Sequence, residues 1–156
     1  MILCASMCLA RCIVVGINHK TYTIAQIRLF KRPSSVEQRE QALALCRQAN
    51  IDPHTACGMD ENHRMQRVLS DYRLIVLDSK DLSSLVFIGP LGTPEKPRTN
   101  LYLLWANNHF YSILNIAPLF AGTYSCSQCL KVWKNIYVHI DASWPAGVAP
   151  HRKSVS

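Results

Sequence analysis

Cys8, His109 and the pair Cys126 and Cys129 have the types and spacing to do chemistry. Cys8 falls in the first turn of an apolar segment that Ser6 can cap, which predicts a helix from about Met7 to Val15 with Gly16 near its end. There the backbone donors and dipole of the helix start favour a thiolate, the form in which cysteine attacks. His109 opens the second arm of an aromatic-rich segment, where a side chain can be held at the edge of a site while Phe110 and Ile113 pack inward. A thiolate and an imidazole brought together by folding would be nucleophile and base, whatever their separation in sequence. Cys4, Cys8 and Cys12 stand four apart, so they equally form a stripe of small core side chains. The Cys126-x-x-Cys129 pair has the spacing of half a zinc site, and His139 can supply a third ligand. Asp141 or His151 could complete the shell; a decayed finger and a redox pair are the alternatives.

The elements that must position these residues are legible in outline. Leu101–Trp105 and His109–Ile116 are two apolar runs separated by Ala106-Asn107-Asn108, which predicts a hairpin with an Asn-Asn turn. Upstream, YRLIVLD (72–78) and SLVFIG (84–89) read as two further strands. Ser35 with Gln38, or Ser34 with Glu37, has capping-box spacing ahead of a helix ending near Asn50, with Ala42, Leu45, Cys46 and Ala49 on its inner face. Asp60 is the expected cap of another helix, with Met65, Val68 and Leu69 facing inward. A basic stretch precedes Pro33-Ser34-Ser35. Helices first and strands later predict an α+β domain, helices packed on a largely antiparallel sheet. The helix at Cys8 should pack on the hairpin.

Composition narrows the classes. The chain has 156 residues, 49% of them apolar, enough for one sizeable core. Its net charge of +7 is uneven: Arg11, Lys20, Arg28, Lys31 and Arg32 precede residue 36 without an acid, and after residue 95 only Asp141 opposes six bases. Basic ends of this kind can steer a nucleic acid. Seven cysteines, odd in number and unevenly spaced, point to a reducing intracellular compartment, nucleus or cytoplasm, rather than a disulfide scaffold. The apolar N-terminus is interrupted by Arg11 and stops near Asn18, short of the roughly 20 residues a membrane span requires. No membrane association is therefore expected. Residue 1 falls just before a helix, as in a fragment.

Two resemblances extend these readings. Cys8-Leu9-Ala10-Arg11, YRLIVLDSKDLSSLVFIGP and LYLLWANNHFYSILNIAPLFAGTYSCSQC together resemble the region upstream of the catalytic core in protein-primed type B DNA polymerases of self-synthesising transposons and related viruses. That resemblance covers most of residues 7–139 and implies an accessory, binding role in a viral-like mobile element, with the downstream polymerase region missing. The polymerase's aspartate-bearing motifs are absent. The same two ends resemble, more distantly, the ovarian-tumour class of papain-like cysteine proteases. There a Cys-Leu-x-Arg starts a helix and a His before an aromatic lies on a late strand. That resemblance implies a papain-like core, Cys8 as nucleophile, His109 as base, Asn107 as a loose polar orienter, and a ubiquitin-like or polyprotein substrate. Ala5-Ser6-Met7 departs from the family's loop before the cysteine. The expected organisation is a core over residues 1–119, a partial zinc-ribbon or finger-like lobe over 120–141, and a disordered tail over 142–156. The expected function is the accessory polymerase region, with a cysteine hydrolase as the alternative.

Overall fold

The computed structural model describes residues 6–56, 58–81 and 84–115, together with two short strands at 124–125 and 132–133. The elements in chain order are α1 (Ser6–Asn18), α2 (Ile24–Phe30), α3 (Val36–Gln48), α4 (Met59–Val68), β1 (Tyr72–Asp78), β2 (Leu85–Ile88), β3 (Thr99–Ala106), β4 (His109–Ile113), β5 (Tyr124–Ser125) and β6 (Val132–Trp133). The chain divides into two compact units, Met1–Leu114 and Asn115–Ser156. In the second, β5 and β6 pair antiparallel. The first unit is α+β.

Helices α2 and α3 start where a side chain answers their orphan amides. Thr23 and Gln26 form a reciprocal capping box at α2, a helix that the basic composition of this stretch conceals. Ser35 caps α3 by accepting from the Gln38 amide at 3.2 Å, but the Gln38 side chain does not turn back on the cap. It is buried, and its amide nitrogen donates to the Phe30 carbonyl at 2.7 Å, so it ties α3 to the end of α2. At α4 the cap differs from expectation. Gly58 precedes the helix, and its amide donates to the Glu61 carboxylate at 2.7 Å; Asp60 lies inside the first turn and pairs with Arg64.

The sheet has the order β2-β1-β3-β4. β1 pairs antiparallel with β2, and β3 with β4, but β1 and β3 run parallel, so the sheet is mixed where a largely antiparallel one was expected. The connection from β2 to β3 passes β1 and returns the chain on its other side, which makes β1 a central strand. Leu74, Ile75, Val76 and Leu77 are accordingly buried on both faces.

Leu74, Val76, Phe87, Leu101, Leu103 and Phe110 form one sheet face, and Leu9, Ile13 and Val14 of α1, Ala42, Leu45 and Cys46 of α3, and Met65 of α4 close over it. α1 packs against α3, β3 and β4, as expected from its apolar run. Phe110 is buried, but Ile113 is odd in parity to it and lies half-buried with His109 and Tyr111 on the alternate positions of β4. Among the described residues no helix is long and apolar enough to cross a membrane.

Candidate active site

The Asn-Asn turn sets the geometry of one end of the site. Asn107 and Asn108 both take positive φ, 52° and 57°, the conformation that lets a two-residue loop match the twist of its strands. With so short a loop, Ala106 and His109 face each other next to the turn, and Tyr111 pairs with Leu104. These are the residues that exchange hydrogen bonds with β3, so the carbonyls of Phe110 and Ser112 point away from it along the outer edge of the sheet.

Helix α1 covers that edge. The Cys8 and Cys12 sulfurs lie 3.5 and 3.2 Å from the Phe110 carbonyl oxygen, and the Ser112 hydroxyl donates to the Cys12 carbonyl at 3.0 Å. An exposed strand edge is thereby answered by thiols one helical turn apart.

This arrangement brings Cys8 to His109. The Cys8 sulfur is 3.4 Å from Nε2 and 3.5 Å from Nδ1 of the imidazole. Near-equality of the two distances means that the sulfur is aligned with neither nitrogen, and a modest rotation of the ring would bring one of them into line. Long, poorly aligned pairs of this kind are common in catalytic sites before substrate binds. The His109 ring also meets Tyr111 edge to face, with centroids 4.8 Å apart. Asn107 stays in the turn, with no hydrogen bond to His109.

Cys8 and His109 open onto a cleft of about 560 Å³, lined on the α1 side by Met7, Cys8, Arg11, Cys12 and Val15. Cys8, Arg11, Cys12 and Val15 are spaced three and four residues apart, which puts them on one helical face, a signal present in the sequence. Lys31, Gln38 and Tyr111 complete the cleft and were not foreseen. The Arg11 guanidinium donates through Nη1 to the Pro33 carbonyl and to the Gln38 side-chain oxygen, at 3.1 and 3.2 Å. Arg11 is thereby tied to Gln38 and Pro33, and no acidic residue is among the described residues that line the cleft.

Cys126, Cys129 and His139 lie outside the described residues, as do Asp141 and His151. Among the described residues no group of three His, Cys, Asp or Glu is arranged to hold a metal. Comparison of the chain with protein-family models, with curated proteins and with solved structures finds no match in any of the three.

Proposed function

We propose that this chain is a cysteine hydrolase with a papain-like site of the ovarian-tumour class, Cys8 being the nucleophile and His109 the general base. The observation that carries the proposal is the 3.4 Å approach of the Cys8 sulfur to the His109 ring at the mouth of a cleft. The thiol passes its proton to the imidazole and the sulfur attacks an acyl carbon. The leaving amine takes the proton from His109 as the carbon–nitrogen bond breaks, and water then hydrolyses the thioester with the imidazole again accepting and returning a proton.

Amides in the first turn of a helix have no acceptor within it. The Met7 amide donates to the Pro53 carbonyl at 3.4 Å, which leaves the Cys8 amide as the proposed donor to the developing oxyanion. The edge-to-face contact with Tyr111 holds the imidazole in place of a polar orienter. The proposed substrate is the C-terminal acyl group of a ubiquitin-like protein or a polyprotein segment.

Iodoacetamide at neutral pH tests the pair directly. It should label Cys8 in preference to buried Cys46, and His109→Ala should slow that labelling by about a hundredfold, the lower end of what a positioned base contributes. Turnover of a ubiquitin C-terminal amide should vanish in Cys8→Ser. Equal labelling of several thiols, indifferent to His109, would leave the contact as packing only. The accessory polymerase role and the partial zinc lobe are proposals that rest on the sequence resemblance and on residues 116–156.

A further inference from the structure

A second cavity, of about 530 Å³, lies against β2, the strand at the opposite edge of the sheet from β4. Its walls include His63 and Arg67 from α4, Phe87 and Gly89 from β2 and its exit, Pro90, and Arg98 from the segment leading into β3. Two guanidinium groups thus share one cavity with no carboxylate among the described residues that line it.

Two acceptors on its walls, the Gly89 carbonyl and the Gln66 side chain, are already committed. The Gly89 carbonyl accepts from Arg73 Nε at 2.8 Å. The buried Gln66 side chain accepts from the Leu74 amide at 2.7 Å and donates to the carbonyls of Tyr72 and Leu69. Nη1 of Arg98 is buried and has no hydrogen-bond partner. A desolvated guanidinium nitrogen without an acceptor is costly, and the cost is removed when an oxyanion supplies one. The cavity is much larger than an inorganic anion and falls in the size range of sites for small organic molecules. Phe87, held edge to face by His63 with centroids 5.0 Å apart, and Pro90 give it an apolar wall.

We infer that this cavity binds a phosphorylated small molecule of about mononucleotide size, its phosphate held by Arg98 and Arg67 and its ring system lying against Phe87 and Pro90. The site is separate from Cys8 and His109 and does not depend on the hydrolase proposal.

Inorganic phosphate and adenosine 5′-monophosphate are the probes, titrated into the full chain by calorimetry and by thermal unfolding against sodium chloride at matched ionic strength. Both should bind and raise the unfolding midpoint, the nucleotide more tightly. Arg98→Met should weaken both by about tenfold or more, the loss of a charge-assisted bond. It should fold at least as stably as the parent when no ligand is present, since it removes a buried nitrogen that has no hydrogen-bond partner. Arg67→Gln, on the exposed side of α4, provides a second variant whose folding is not at issue, and it too should weaken phosphate binding. Equal midpoints in phosphate and chloride would overturn the inference, as would phosphate affinity unchanged in both variants. Binding of citrate without binding of either phosphate probe would overturn the choice of phosphate.

Discussion

At the scale of single residues, the imidazole of His109 meets the Tyr111 ring edge to face as well as the Cys8 sulfur, and this has a measurable consequence. An edge-to-face pair contributes about 0.5–1.5 kcal/mol, so Tyr111→Ala should slow iodoacetamide labelling of Cys8 by about two- to tenfold, while Tyr111→Phe, which keeps the ring, should leave it unchanged. A slow Tyr111→Phe would instead implicate the hydroxyl. Cys46 behaves differently from Cys8. Burial, with a smaller contribution from Asp52, pushes its thiol above the ordinary range. Because the folded chain holds that proton more tightly than the unfolded one, the stabilisation is complete below the unfolded thiol's pKa and is lost as pH rises toward the folded value. Chemical denaturation should show stability falling through the alkaline thiol range, with a shallower fall in Cys46→Ala, a variant less stable throughout because of the cavity. Both site residues were legible from sequence because each sits at the start of an element. Their contact was not, because it depends on which sheet edge α1 covers.

At the scale of elements, what the sequence conceals is pairing rather than existence. The span of β1, Tyr72–Asp78, follows from its run of branched and apolar residues, yet nothing local says that its second neighbour arrives parallel. Likewise α2 carries its Thr23–Gln26 capping box in plain view, but Lys20, Arg28, Lys31 and Arg32 make the segment read only as a basic stretch. The Gln66 side chain shows how a single residue can fix such pairing: it bonds the start of β1 to the end of α4 and lies where any side chain at position 89 would have to go. A Cβ added to Gly89 would come within 2.1 Å of the Gln66 side-chain oxygen. Gly89→Ala should therefore cost about 2–4 kcal/mol, from overpacking together with the loss of buried hydrogen bonds. A denaturation midpoint unchanged in this variant would show that the corner yields freely. The hairpin turn offers the opposite sign. Asn108→Gly suits the positive φ better and should be neutral or stabilising, whereas Asn108→Val, β-branched at that φ, should cost about 1–2 kcal/mol.

At the scale of the whole molecule, the two candidate chemistries fall in different units. Cys8, His109 and the four-stranded sheet all belong to Met1–Leu114, whereas Cys126, Cys129 and His139 all belong to Asn115–Ser156. If zinc is bound by the second set, metal affinity there is also folding free energy, because the ligands form no site until the chain around them is ordered. That energy should be local. Removing zinc with a chelator, or replacing Cys126 and Cys129 by serine, should lower an unfolding transition of the second unit and release one equivalent of metal. The rate at which iodoacetamide labels Cys8 should not change, since no ligand in the set lies within the first unit. Native-state hydrogen exchange would locate the loss of protection, expected at β5 and β6 and not at β3 or β4. A chain without bound zinc, whose serine variants unfold like the parent, would reduce the Cys-x-x-Cys to sequence alone. Slower labelling of Cys8 on metal removal would show instead that the two units fold as one cooperative body.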